Sequence, residues 1–331
     1  MPRAMIRSIG MHVPQRVVTN QDLEKLMDTS DQWITERTGI KERHHVDGEA
    51  TTDLALPAAL EALERAGLAP EDIDHIIFST MAADYFFPGG GPVMTQKLGI
   101  PGTPAMDIRN ACSGFLYGLN AARAFIEAGI YRNILLITSE VQSVALQMFT
   151  EGRDTAVLFG DGAGATVIQP SDGEHGILEV VTHSDGRFAE DLMMRMPSTM
   201  DSPFMTHELL DQKGHWIQMN GRNVFKHAIT KFPAVIREAL EKAGVAKSDV
   251  RLVVPHQANL RITEAVAKRL ELEMYEVVYS NIHKYGNTTS ASIPIALYEA
   301  EAEGVIKSGD YVVVASFGSG FTWGAGVIKW K

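Results

Sequence analysis

Two stretches of this chain that begin 177 residues apart read alike, and that repeat limits the fold more than any other feature of the sequence. EALERAGLAPEDIDHIIFST, from Glu61, aligns without gaps onto EALEKAGVAKSDVRLVVPHQ, from Glu238, with eight of twenty positions identical. Each copy reads as an amphipathic helix stopped by a glycine (Gly67, Gly244), followed by a short apolar strand. The same offset carries the apolar strand Ile134–Ser139 onto Tyr311–Ser316, and the small-residue turn around Cys112 onto Asn287-Thr288-Thr289-Ser290. Gly-Ala-Gly follows in both copies, at Gly162 and Gly324. One pair of helices can match by chance; several elements at a common offset point to duplication. The period is far too long for a solenoid. The expectation is two related α/β halves about a pseudo-twofold axis, residues 1–172 and 173–331. The helices beginning near Cys112 and near Thr289 should lie at its centre.

Within that frame, residues 5–19 read as a strand with a turn at Pro14, and Asn20 as the cap of a helix reaching Leu26. Asp31–Arg37 reads as a short helix closed by Thr38-Gly39, Asp53–Ala66 as an amphipathic helix, and His75–Thr80 as a strand. Tyr85 to Pro92 is aromatic, glycine-rich and irregular, with a helix expected near Val93–Leu98. Leu158–Ile168 reads as a glycine-bent pair of strand segments. Arg195–Trp216, polar and methionine-rich, reads as an insertion or lid between the halves.

Composition narrows the function classes. A net charge of −11 argues against nucleic acid as the main partner, because phosphate binding needs a basic surface. No apolar window is long enough to span a bilayer, and MPRAMIRSIGMHVPQ gives no expectation of a signal peptide or anchor. A single cysteine excludes an internal disulfide framework and suits a reducing cytoplasm.

That cysteine, Cys112, lies in DIRNACSGFLYGLNAARAFIEAG, from Asp107 to Gly129. Asp107-Ile108 reads as a strand end, and Asn110, Ala111 and Ser113 as a turn. Phe115, Leu116, Leu119, Ala122 and Ile126 then fall at helical spacing. At such a helix start, unpaired N–H groups and the helix dipole favour a thiolate. A lone cysteine is also the pattern of a small buried hydrophobe. His256 follows an apolar strand in Val254–Asn259, and Asn287 precedes the second central helix in Tyr285-Gly286-Asn287-Thr288. The repeat puts both in loops at the end of the sheets where Cys112 sits. Singly, a strand-end histidine and a glycine-flanked asparagine have ordinary structural readings. Together with a thiol they form an acyl-transfer arrangement. The thiolate attacks a thioester and becomes acylated, while a neutral imidazole Nε2–H and an amide N–H hold a carbonyl oxygen as it becomes an enolate.

In Asn110-Ala111-Cys112-Ser113-Gly114-Phe115, Pro255-His256-Gln257-Ala258-Asn259, Tyr285-Gly286-Asn287-Thr288-Thr289 and Phe317-Gly318-Ser319-Gly320-Phe321-Thr322-Trp323-Gly324, the chain resembles the β-ketoacyl-acyl-carrier-protein synthase III enzymes of the thiolase superfamily. The resemblance covers essentially the whole chain. It implies a thiolase-like layered αβαβα fold and a homodimer. It also implies decarboxylative Claisen condensation of an acyl-CoA starter with malonyl-acyl-carrier protein, initiating type II fatty-acid synthesis. Coenzyme A thioester is then a substrate, with no metal and no further cofactor. Cys112 becomes the acyl-accepting nucleophile, and His256 and Asn287 the binders of the malonyl thioester carbonyl. The backbone N–H groups of Cys112 and Ser319 become the oxyanion hole, although the family often has glycine where Ser319 stands.

By the same resemblance Trp33, Arg37 and Arg153 match positions holding the adenine end of coenzyme A, and Asn259 a contact to the pantetheine arm. An indole face and guanidinium planes suit a purine; a half-buried packing role is the plain alternative for Trp33. Lys226, Arg261, Lys268 and Arg269 match the docking positions for the acidic carrier protein. The last three fall at i, i+7 and i+8 on one helix face, which Glu264 shares and which also reads as simply solvated. Phe87 matches a residue that crosses a dimer interface to close the partner's acyl pocket. The glycine-rich run beside it and the long Arg195–Trp216 segment leave acetyl, branched and medium-chain starters open.

Other readings fail or rank lower. Gly160, Gly162 and Gly164 are not a dinucleotide fingerprint, because no helix follows them. No phosphate-loop lysine motif occurs, and His44-His45 has the wrong spacing for a helical metal pair. One rival is a specialised acyltransferase or acyl-joining enzyme of secondary metabolism on the same fold. An enzyme joining two acyl chains needs a carboxylate base facing Cys112, and the sequence identifies none. The other rival is a non-catalytic partner subunit, against which the intact Cys112, His256 and Asn287 argue.

Overall fold

The duplicated sequence folds into two mixed sheets of like topology. The computed structural model describes residues 2–171 and 173–331, so the half boundary expected at residue 172 lies outside the described residues. The first sheet contains β1 (Arg3–His12), β2 (His75–Ser79), β3 (Ala105–Ile108), β4 (Ile134–Glu140) and β5 (Gly162–Ser171), in the order β1-β5-β4-β2-β3. The second contains β6 (Gly176–Ser184), β7 (Val250–Pro255), β8 (Tyr311–Gly318) and β9 (Thr322–Lys329), in the order β7-β8-β9-β6. In the first sheet β1, β5 and β4 are antiparallel neighbours, and β4 pairs in parallel with β2. In the second, β6, β9 and β8 are antiparallel and β8 pairs in parallel with β7. The second sheet thus repeats the first, except that among the described residues the place of β3 is held by a single parallel bridge of Val278 to Val253 of β7.

The helices that build the layers and the site are α1 (Asp31–Thr38), α2 (Thr51–Ala66), α3 (Gly114–Glu127), α4 (Gly221–Ala243), α5 (Leu260–Leu270) and α6 (Ser292–Ala302). α3 and α6 fill the middle layer. Phe115, Leu119, Ile293 and Leu297 pack there against Leu136 from one sheet and Val314 from the other. α2 covers the outer face of the first sheet with Leu54, Ala58 and Leu63, and α4 and α5 cover the second with Phe232, Ile236 and Val266. The result is an αβαβα stack. β2 and β4, covered on both faces, are buried along their whole length, which is why their stretches Ile76–Phe78 and Ile134–Ile137 are unbroken apolar runs.

Gly67 and Gly244 end α2 and α4 in the left-handed conformation (φ 71° and 66°), as their place in the repeat predicts. The offset slips by one at the nucleophile turn. Ala111 and Thr289 share a positive φ (45° and 52°), and α3 and α6 start at Gly114 and Ser292, so the spacing there is 178 (289 − 111 and 292 − 114). The conformational counterpart of Cys112 is therefore Ser290, not Thr289.

Local chemistry adjusts several boundaries. Thr19 rather than Asn20 caps the first short helix, Asn20–Glu24, through a reciprocal bond with Asp22. Asn20 is instead buried and donates to the Ile40 carbonyl. The helix expected near Val93–Leu98 runs Gly90–Lys97, because the Asp107 carboxylate accepts the Gly91 N–H and starts it earlier. In the glycine-bent segment Phe159 makes an isolated parallel bridge to Asn287, and the continuous strand begins at Gly162. Arg195–Trp216 is closed at its base by a two-stranded ribbon, Leu192–Met194 with Ile217–Met219, and contains a helix, His207–Asp211. Among the described residues no helix is long and apolar enough to cross a membrane.

Candidate active site

Cys112 sits in the one-turn 3₁₀ element Ala111–Ser113 that joins β3 to α3, and the last residue of β8 packs against it. A Cβ at Gly318 would lie 2.6 Å from Cys112 Cβ and 3.0 Å from Sγ, so only glycine lets the second sheet come this close to the thiol. The backbone N–H groups of Cys112 and Ser319 act to lower the thiol pKa. The thiolate expected at the helix start is not the resting state. Burial, and then the Glu140 carboxylate, push the Cys112 thiol up to about 12, outweighing the two N–H groups that pull it down.

His256 lies just beyond β7 and is buried, which pushes its pKa down to about 3 and keeps the ring neutral. Its Nδ1 stands 2.6 Å from Ser292 Oγ, while Nε2 has no partner among the described residues. Asn287 follows Gly286, whose φ is 64° and where a Cβ would meet the Leu158 carbonyl at 2.8 Å. The Asn287 N–H donates to that carbonyl (2.8 Å), and its own C=O accepts from Gly160 N–H (3.1 Å). Its Oδ1 accepts the Thr289 N–H at 2.9 Å, which orients the carboxamide and leaves Nδ2 without a bond among the described residues.

These three side chains line one cavity of about 420 Å³, together with Gly318. The same cavity reaches Trp33, Arg37, Asn259 and Arg261. Cys112, His256 and Asn287 are buried and Arg37 and Arg261 exposed, so it runs from surface cations inward to the thiol. The Arg37 and Arg153 guanidinium groups lie 4.9 and 4.6 Å from the Trp33 ring centroid. Arg153 is not in the cavity wall; it braces the indole while donating to the Asp28 carbonyl. Asn259 caps α5, its side chain accepting the Arg261 N–H. Of the docking residues, Lys226 and Lys268 are exposed outside the cavity, whereas Arg269 donates to the Ile229 carbonyl and ties α5 to α4. Phe87 is 81% exposed, beside Tyr85 and Phe86, and does not line the cavity of its own chain.

Three participants escaped the sequence reading. Arg43 is buried, and its guanidinium donates to Val18 O, Asn20 Oδ1 and Val157 O, holding the wall segment that carries Leu158 and Phe159. Ser292 is the histidine's neighbour. Glu140, fully buried at the end of β4, accepts from Ser290 Oγ (2.6 Å), Gln142 Nε2 (2.9 Å) and Met81 N (3.0 Å). An acid closing the strand ILLITSE was its only sequence signal.

Burial raises the Glu140 pKa from 4.5 to about 7. The raised value favours folding fully below pH 4.5, and that contribution is lost as pH rises through about 7, where the folded protein must hold a buried charge. Glu140→Gln is expected to flatten the dependence of the thermal midpoint on pH between those values. Identical slopes in the two proteins would assign the decline to other groups.

Comparison with known proteins identifies the family. A family model described as 3-Oxoacyl-[acyl-carrier-protein (ACP)] synthase III matches residues 106–186, which include Cys112, and the model of that family's C terminal matches residues 240–330, which include His256 and Asn287. The beta-ketoacyl-[acyl-carrier-protein] synthase III of Clostridioides difficile (strain 630) is 46% identical over 329 residues, spanning 99% of this chain and 98% of the relative. That of Roseiflexus sp. (strain RS-1) is 45% identical over 328 residues, 97% of this chain and 96% of the relative. The crystal structure of 3-oxoacyl-[acyl-carrier-protein] synthase III from Aquifex aeolicus VF5 superposes with a TM-score of 0.91 at 42% identity, covering 99% of this chain and 100% of that one.

Proposed function

We propose a residue-level mechanism from the premise that this chain belongs to the 3-oxoacyl-[acyl-carrier-protein] synthase III family. It is an acyltransferase that condenses an acyl-CoA starter with malonyl-acyl-carrier protein, the opening step of fatty-acid synthesis. The observation that supports the residue roles is the single cavity shared by Cys112, His256 and Asn287.

In the first half-reaction Cys112 attacks the starter's thioester carbonyl. A C–S bond to Cys112 forms, the bond to coenzyme A breaks, and the thiol proton leaves with coenzyme A. The oxyanion formed on the way accepts the N–H groups of Cys112 and Ser319. In the second, the malonyl thioester carbonyl accepts Nε2–H of His256 and Nδ2–H of Asn287. The bond to the carboxylate breaks, CO2 departs, and the electron pair becomes an enolate. The enolate carbon attacks the acyl-cysteine carbonyl, forming the new C–C bond and expelling the Cys112 thiolate. A histidine kept neutral by burial suits this role, since it must donate a hydrogen bond without surrendering a proton.

Trp33 and Arg37 then hold the adenine end of coenzyme A, with Arg153 stacked on the indole, and Asn259 holds the pantetheine arm. Lys226, Arg261 and Lys268 receive the carrier protein beside the cavity mouth, with Arg269 bracing their helix. Phe87 closes the acyl pocket of a second copy in a homodimer of chains each built from halves 1–172 and 173–331. A thiol nucleophile fits a reducing cytoplasm. Neither a metal nor a further cofactor enters these steps.

Intact-protein mass spectrometry after exposure to a panel of acyl-CoAs tests the reading. A mass gain equal to one acyl group, located at Cys112, is expected for at least one starter, and the preferred chain is read directly. No gain with any starter would overturn it.

A further inference from the structure

His256 donates into the cavity only if its proton sits on Nε2, and an isolated imidazole does not settle which nitrogen carries it. Its Nδ1 is 2.6 Å from Oγ of Ser292, the first residue of α6. The same oxygen lies 3.2 Å from the backbone N of Gln257. A backbone N–H only donates, so Ser292 Oγ is the acceptor in that bond and its own hydrogen still needs an acceptor. Both side chains are 2% exposed, and among the described residues the one acceptor bonded to Ser292 Oγ is Nδ1 of His256.

We infer that Ser292 is a positioning residue whose hydroxyl donates to Nδ1 of His256 and so keeps the proton on Nε2, facing the substrate carbonyl. The opposite tautomer would strand a buried hydroxyl hydrogen and turn a nitrogen lone pair toward the oxygen that has to be held. The duplicated fold contains the comparison. In the repeat Ser79 corresponds to His256, and Gly114 corresponds to Ser292 at the start of the other central helix. There a Cβ on Gly114 would lie 1.9 Å from Ser79 Oγ, so the first half has no room for such a pair. The hydroxyl–imidazole pair exists only in the half that carries Asn287. The catalytic part of this inference rests on the proposed condensation; the tautomer does not.

Selective 15N-histidine labelling, with the His256 signals assigned by their loss in His256→Ala, reads the tautomer in the whole protein. The wild type is expected to show a protonated Nε2 and a bare Nδ1, and Ser292→Ala a mixture. In Ser292→Ala, CO2 release from a malonyl thioester, taken relative to acyl loading of Cys112, should fall about tenfold. Retained loading reports an intact fold, and Ser292→Thr, which restores a hydroxyl, should recover most of the loss. A proton on Nδ1 in the wild type, or unchanged relative CO2 release in Ser292→Ala, overturns the inference. Failure of the wild type to load Cys112 would instead overturn the condensation itself, and the nitrogen spectrum would still decide the tautomer.

Discussion

Cys112→Ala yields a folded protein that forms no acyl-enzyme, and condensation falls on the order of 10⁴-fold or more. The chain has no second thiol to take over. The fold survives because the turn does not hang on the sulfur. Ser113 Oγ donates to the Thr322 carbonyl at 3.0 Å, and the Ser113 N–H to Asn110 O at 3.0 Å, with the side chain of residue 112 uninvolved. Losing one small buried atom should lower stability by roughly 1 kcal/mol. Intact mass after acyl-CoA exposure and the thermal midpoint measure the two effects separately. A Cys112→Ala protein that still gained acyl mass would move the nucleophile elsewhere.

Asn287→Ala is expected to divide the reaction: Cys112 still loads, while CO2 release from malonyl thioester drops about 10²–10³-fold. That is the scale for removing one preorganised donor from a developing oxyanion. The substitution removes Nδ2 and the Oδ1 bond to Thr289 N–H. It leaves the backbone bonds to Leu158 and Gly160, so the wall beside Cys112 stays in place. Single-turnover loading and CO2 release, measured on one preparation, separate the outcomes. Undiminished release would reject the role given to Asn287.

The parts of this molecule legible in the sequence are those set by local chemistry. Gly67 and Gly244 stop helices wherever they stand, and the alternation of apolar strand and amphipathic helix is visible over windows of twenty residues or fewer. Cys112, His256 and Asn287 could be placed together because the repeat supplied the tertiary relation that single motifs lack. What stayed hidden depends on contacts between distant segments. The thiol's resistance to ionisation comes from burial and from Glu140, neither of which a helix-start argument contains. Ser292 reads as an unremarked helix residue until β7 delivers His256 against it. The one-residue slip near Thr289 is invisible to a gapless alignment, because Gly67 and Gly244, and Ile134 and Tyr311, keep the original spacing on either side.

That slip has a consequence for stoichiometry. It sets Ser290 at the station equivalent to Cys112, where its hydroxyl is tied to the Glu140 carboxylate at 2.6 Å. That hydroxyl is a buried tether across the halves rather than a second nucleophile, so each polypeptide should carry a single acyl group at saturation.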